Sequence, residues 1–267
     1  MTVASTPGLE QEIAYAMEAP VCLLPHLPYL LQDLPSLSGA EDEVVSVLRE
    51  VGLHPGATVL DLGCGRGEIA LRIAQELEAT VTGIDGHADF IAQAQQSARN
   101  AQCEAQCRFV TGDLRTALRV SEQYDAVMTI ALGPILGDTV ATIGMLRNVV
   151  RAGGWMLIDD AYIQNDAPPP PHYEGYLPRD AMERALTHFG DRIVARRVHN
   201  PAGDAFNAQV LSHVPQRARE LAAMHPMLKP ELDQYVHRQH AEVALMQEAV
   251  VPVLWALQKT PTLPPGT

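Results

Sequence analysis

A chain of 267 residues, 47% hydrophobic and 19% charged, has ordinary globular composition and is long enough for one α/β domain with an added lobe, or for two small domains. Its formal net charge of −13, with no basic run long enough to offset it, argues against nucleic acid as a partner, and no stretch reaches the roughly 20 apolar residues of a membrane span. Four scattered cysteines form no disulfide framework and the start MTVASTPGLEQE lacks the pattern of a secretion signal, so the expected compartment is the cytoplasm.

Residues 1–37 read as irregular and proline-rich, with a short helix near Leu9–Met17. The apolar stretch LLPHLPYLLQDL (23–34) is interrupted by Pro25 and Pro28 and cannot form one straight helix. Ser38-Gly-Ala-Glu41 matches a capping box, and Val44, Val45, Leu48 and Val51 share one helical face, which predicts a helix over 40–53. From residue 57 the pattern alternates. Strands are predicted at 57–62, 79–85, 107–113, 124–130 and 154–160, and helices at 67–77, 88–100 and 138–150, with a short helix after the third strand. The fifth strand is entered through an Ala152-Gly153-Gly154 turn. This alternation implies parallel βαβ units in a doubly wound α/β sheet.

Four consecutive prolines in 165–176 predict an extended polyproline segment. A helix over 179–189 and a strand over 191–200 follow, then a helical stretch over 207–248 broken at Pro215, Pro226 and Pro230. The last strand is expected at 250–259, with Pro252 at its start or at a bulge. The expected organisation is an N-terminal lid (1–40), an α/β core (41–200), a helical insertion or cap (201–248), and a last core strand with a tail (249–267).

The stretch VLDLGCGRGEIA carries the chemistry. Gly63-Cys64-Gly65-Arg66-Gly67 is G-x-G-x-G, whereas a dinucleotide fingerprint places its third glycine at the position held here by Glu68. A carboxylate at a helix N-terminus suits the dipole but not a pyrophosphate bound at the same place. The preceding strand carries Asp61, the second strand ends in Asp85, 22 residues after Gly63, and the third ends in Gly112-Asp113. All three acids fall at carboxyl ends of parallel strands, beside the crevice where open sheets bind ligands, and Asp85 is placed to accept hydrogen bonds from a ribose diol. Acids suit a ribose-bearing ligand with a cationic remainder better than a phosphate.

In order, VLDLGCGRGEIA, TGIDGHADFI, FVTGDL, YDAVMTI and LRNVVRAGGWMLIDD resemble the motifs of class I S-adenosylmethionine-dependent methyltransferases over roughly residues 41–160. The resemblance implies a mostly parallel, seven-stranded Rossmann-like sheet with helices on both faces. It also implies S-adenosyl-L-methionine as cofactor and S-adenosyl-L-homocysteine as product. Carried over by position, Asp61 and the backbones of Gly63, Gly65 and Gly67, with Cys64 between them, face the methionine part. Asp85, followed by Gly86, holds the ribose, and Asp113 with Leu114 meets the adenine. Thr129 to Leu132, with Ala131 among them, line the methyl-transfer face. The stretch YLLQDL before the motif helix is closest to small-molecule members, which makes a small organic acceptor the expected substrate.

The acceptor side is less defined. The stretch IALGPILGD after the fourth strand lacks the Pro-Pro-aromatic signature of many nitrogen methylating members. Asp159-Asp160-Ala161-Tyr162 ends the fifth strand, and strand alternation turns one aspartate toward the crevice. Asp160 and Tyr162 are the candidates for acceptor binding or base, although the acids equally suit a solvated strand end or a helix cap. Tyr29 and Gln32 are candidates for an acceptor lid, as are His172, Tyr173 and Tyr176 around the proline run. No metal site is expected, because His237-x-x-His240 lacks further ligands at recognised spacing. The 204–248 insertion is expected to cap the acceptor site or to form a homodimer face. Rival readings are a nicotinamide-dependent oxidoreductase, a non-catalytic binder of the same cofactor, and a methyltransferase acting on protein.

Overall fold

The computed structural model describes residues 8–119, 121–164, 175–199 and 205–261. Before the sheet come α1 (Leu9–Ala16), a 3₁₀ turn at Val21–His26, the single turn α2 (Leu27–Leu30) and α3 (Glu41–Glu50). The alternating part runs β1 (Thr58–Leu62), α4 (Glu68–Leu77), β2 (Thr80–Asp85), α5 (Ala88–Asn100), β3 (Cys107–Thr111), α6 (Leu114–Ala117), β4 (Tyr124–Thr129), α7 (Thr139–Val149) and β5 (Val150–Ile163). It closes with α8 (Arg179–Leu186), β6 (Arg192–Val198), α9 (Ala205–Met224), α10 (Lys229–Glu248) and β7 (Val250–Gln258). The strands form one sheet in the order β3-β2-β1-β4-β5-β7-β6, with β7 antiparallel to both of its neighbours.

Strand pleating divides the core. Val59 of β1 and Val81 of β2 pack with Val44, Leu48, Ile73 and Ile91 of α3, α4 and α5 on one face. Leu60, Leu62 and Val127 face Ile143, Leu146 and Leu186 of α7 and α8 on the other. Side chains such as Ile73, Leu48 and Ile143 are fully buried, each stabilising the fold by about 1.5–3 kcal/mol. A third cluster joins residues 14–34, among them Leu23, Leu27 and Leu30, to Val214, Leu221 and Tyr235 of α9 and α10. The helical insertion and the N-terminal segment thus share one core.

Several expectations are corrected. The Ser38 capping box does not form: α3 starts at Glu41 with Ala40 as its cap residue, and the Ser38 hydroxyl accepts the Ala40 N–H at 3.2 Å. Pro215 does not break α9, because burial of Val210, Val214, Ala218 and Leu221 outweighs the roughly 3 kcal/mol cost of an interior proline. Residues 152–154 enter the strand, and β5 continues to Ile163, so Asp159 and Asp160 lie inside it, paired with Leu254 and Val253 of β7. Since β4 pairs only as far as Ile158, this part of β5 projects above the β4 rim. Pro252 sits near the start of β7, where its carbonyl accepts the His199 N–H at 2.9 Å, just past the Val198–Val253 pair. Its missing N–H therefore faces the end of β6 and forfeits no pairing there. The four-proline stretch, with His172 and Tyr173, lies outside the described residues.

Candidate functional site

Asp61 is brought to the carboxyl end of β1 and is buried there. The chain then turns sharply, and the Gly63 and Cys64 N–H groups both donate to the Ile84 carbonyl of β2, at 2.8 and 3.1 Å. Gly63 (φ 80°) and Gly65 (φ 51°) adopt the left-handed conformation that only glycine takes at little cost. A Cβ on Gly63 would lie 2.6 Å from Leu132, and one on Gly65 would lie 2.9 Å from Leu37, so both glycines keep a cleft open. Gly67 has a different task. A Cβ there would strike the Phe109 ring at 2.6 Å, so its absence lets α4 pack close to β3.

The cleft is a cavity of about 970 Å³, counting its open mouth, at the carboxyl ends of β1 to β4. Six acids line it: Glu12, Glu41, Asp61, Glu68, Asp85 and Asp113. Among the described residues that line it there is no lysine, arginine or histidine. Asp85 opens onto the cavity with each oxygen already anchored, Oδ2 accepting the Gly65 N–H at 2.9 Å and Oδ1 the His87 N–H at 2.7 Å. A carboxylate has roughly four acceptor positions, so both oxygens keep capacity for a further donor. Burial raises the Asp85 pKa against the pull of these two bonds. Burial, reinforced by Asp85 and then Glu68, pushes Asp61 up to about 8. Burial also raises Glu68, opposed chiefly by its ion pair with Arg66 at 2.7 Å. Such a site favours a cation and disfavours phosphate.

The N-terminal segment forms the outer wall. Leu9, Ile13, Ala16 and Met17 of α1 and its flank face the cavity, and a Cβ on Gly86 would lie 2.6 Å from Ile13. Three residues at the strand ends hold this wall. Arg66 donates to the Leu31 and Leu34 carbonyls at 3.1 and 2.8 Å. His87 Nε2 bonds the Leu24 carbonyl at 2.8 Å. Arg115 bridges Asp113 at 2.8 Å to Glu12 of α1 at 2.7 Å. Each tether follows Gly65, Asp85 or Asp113 by one or two positions, and sequence reading identified none of them. Their signal was there as a positive or imidazole side chain beside each strand-end motif, but its target lies at least 32 residues away in the chain.

Of the residues predicted to hold the cofactor, Asp61, Gly63, Cys64, Gly65, Asp85, Gly86, Asp113, Leu114 and Ala131 line this one cavity, and Gly67 does not. Asp113 also caps α6, accepting the Arg115 N–H at 3.0 Å. Burial, with Asp61 and Asp85 nearby, raises the Cys64 thiol well above its usual range, so it stays protonated. Ala131 has φ 49°, a conformation costing a non-glycine residue about 1–2 kcal/mol, and its N–H donates to Asp159 Oδ2 at 3.2 Å. Asp159 also meets His199 Nε2 at 3.5 Å.

The predicted acceptor residues lie apart from the cavity wall. Of the two adjacent acids it is Asp159 that reaches Ala131, whereas Asp160 points to the opposite face of β5. Burial, reinforced by Asp159, pushes Asp160 up to about 6 against a bond from the Ala161 N–H at 2.8 Å. Tyr176 is near it: burial, followed by Asp160 and Glu242, raises the tyrosine pKa. Tyr162 packs toward Trp255, ring centres 6.4 Å apart. The Tyr29 hydroxyl donates to Glu220 of α9 at 2.9 Å, under the Arg217 guanidinium, and Gln32 is exposed. Tyr29 thus fastens the N-terminal segment to α9. Among the described residues no three histidine, cysteine, aspartate or glutamate side chains gather as a metal site, and no helix is long and apolar enough to cross a membrane.

Known proteins match this arrangement. A family described as "Methyltransferase domain" matches residues 53–190, just over half of the chain. The uncharacterised protein YjhP of Escherichia coli is 29% identical over 122 residues, 46% of this chain and 49% of that protein. Its X-ray structure superposes with a TM-score of 0.72 at 20% identity, covering 86% of this chain and 97% of that one. An S-adenosylmethionine-dependent methyltransferase of Geobacter sulfurreducens, solved with S-adenosyl-L-homocysteine, gives a TM-score of 0.72 at 21% identity, with coverage of 86% and 96%. Trans-aconitate 2-methyltransferase of Deinococcus radiodurans is 33% identical over 106 residues, 39% of this chain and 38% of that enzyme. The matched stretches span about half or less of these two curated relatives. The chain belongs to the methyltransferase-domain family.

Proposed function

We propose that this chain is an S-adenosyl-L-methionine-dependent methyltransferase that passes a methyl group to a small organic acceptor by in-line displacement. The observation that carries this reading is the cavity lined by six acids and, among the described residues, no basic side chain, opened by glycines whose Cβ atoms would fill it. A sulfonium with an ammonium head and no phosphate fits that donor set, and a dinucleotide does not. When bound, the cofactor supplies a methyl group already activated by the positive sulfur.

The chain's own residues then position and exclude water. Asp85 accepts the ribose hydroxyls on lone pairs left by its two backbone anchors. Gly112 and Leu114 flank the adenine, with Asp113 and Arg115 fixing that edge. Asp61, Gly63, Cys64 and Gly65 cradle the methionine part. Asp159 holds Ala131 in its left-handed turn and so sets the wall that faces the methyl group. Asp160, poised near 6 with Tyr176 near it, is the candidate proton acceptor, on the face of β5 opposite the Asp159–Ala131 contact, a face it shares along the strand with Tyr162. Tyr29 and Gln32 belong to the lid that closes the acceptor side. The α9–α10 insertion acts as its cap rather than as a homodimer face, since residues 14–34 already cover its apolar side. Four free thiols suit a reducing compartment, the cytoplasm.

The test is a screen of small-molecule extracts with cofactor labelled in its methyl group. The expected result is label in a low-molecular-mass product. No labelled product from any extract, with the cofactor bound, would contradict methyl transfer to a small molecule.

A further inference from the structure

One carboxylate in the cavity stands out from the other five. Glu41 lines the cavity, yet its Oε1 is shielded from solvent and accepts no hydrogen bond. An oxygen left in that state costs about 1–3 kcal/mol, more if charged, so on a cavity wall it is placed to take a donor from a bound ligand. The neighbouring Glu68 already has a cationic partner, Arg66 at 2.7 Å, whereas Glu41 Oε1 has none. The Glu41 charge adds to the negative field at Glu68, so this part of the wall suits a cation.

Its place in the sheet identifies which cation. Gly112 and Leu114 follow β3, Asp85 ends β2, and Asp61 and the glycine turn belong to β1, in the order β3-β2-β1. A ligand with adenosine over β3 and β2 therefore extends its other end over β1, toward the starts of α3 and α4, where Glu41, Ser38 and Glu68 line the wall. An acid in the first turn of a helix also favours the helix dipole, but Asp42 and Glu43 supply that without lining the cavity.

We propose that Glu41 binds the ammonium of the cofactor's amino-acid head, with Oε1 accepting one N–H from it. This rests on the reading of the cavity as an S-adenosyl-L-methionine site and extends it to a residue outside the glycine motif. Glu41 then selects for a ligand with an intact amino group.

The experiment is calorimetric titration of the whole chain and of Glu41→Gln with two ligands. S-adenosyl-L-homocysteine carries the ammonium, and 5′-methylthioadenosine keeps the adenosine and sulfur but lacks the amino-acid head. Loss of one charged hydrogen bond predicts that E41Q weakens S-adenosyl-L-homocysteine about tenfold or more. The affinity for 5′-methylthioadenosine should stay within about twofold, which also reports a folded pocket. Glu41→Asp, which keeps the charge, should recover part of the lost affinity. Unchanged S-adenosyl-L-homocysteine affinity in E41Q, or equal losses for both ligands, overturns the assignment. A wild-type chain that binds neither ligand overturns the cofactor reading instead.

Discussion

Asp61 is buried and Asp85 opens onto the cavity from the adjacent strand; burial makes both harder to ionise, and the Asp85 charge adds to the effect on Asp61. Asp85→Ala should weaken S-adenosyl-L-homocysteine by about 1–3 kcal/mol, since charged hydrogen bonds to the ribose are lost. Unchanged affinity by calorimetry would remove the ribose role. Asp61, at about 8, is mostly protonated at neutral pH, whereas a cationic ligand prefers it ionised. Cofactor affinity should therefore rise as pH goes from 6 to 8, with proton release on binding. Titrations in buffers of different ionisation enthalpy measure that proton, and a pH-independent affinity would contradict the coupling. The strand-end acids were legible because spacing from the glycine turn fixes their place. Which of Asp159 and Asp160 reaches Ala131 was not, because that depends on the phase of a strand longer than its apolar pattern. Glu41 was hidden for another reason: its spacing from Ser38 imitates a capping box that the backbone does not form.

At the scale of elements, the N-terminal segment is held by Arg66, His87 and Arg115, each rooted beside a residue that lines the cavity. The lid and the ligand site are thus fastened by the same three strand ends. Glu12→Ala and Arg115→Ala should each speed cofactor dissociation several-fold, and the double variant should do no worse than the worse single one, because both break one bridge. Melting should change little, since partly exposed ion pairs contribute about 1 kcal/mol or less. Stopped-flow displacement checks this, and unchanged dissociation would show that α1 is no lid. The existence of α1 was expected from the sequence, as a short helix near Leu9–Met17. What its apolar face covers was not, since local periodicity says that a face is buried and not by what. Pro215 shows the same limit in reverse: a local rule against helix yields to a long-range core.

For the whole molecule, the sheet order sets the chemistry. The β3-β2-β1-β4 half carries the cavity, and the β5-β7-β6 half carries the capping helices. The parallel half was legible because each βα unit repeats one pattern. The antiparallel β7 pairs with strands more than 50 residues away, and the lid–cap core joins segments about 200 residues apart, beyond any local signal. Several acids in this assembly have raised pKa values: Asp61 and Glu242 to about 8, Asp160 to about 6. Between pH 5 and 8 the folded chain therefore holds more protons than the unfolded one, so stability should fall as pH rises. His26, lowered by burial and then His225, works the other way, as do Glu76 and Glu220 at the acid end of the window. Melting of the protein without ligand, followed across this window, should show the decline, and a steady rise would contradict the charge assignments.

The most direct measurement for the central claim is calorimetric titration with S-adenosyl-L-homocysteine and, separately, with NAD. A cavity lined by six acids predicts micromolar or tighter binding of the first, about −8 kcal/mol or more, and no measurable heat from the second. Binding of NAD with no response to S-adenosyl-L-homocysteine would contradict it.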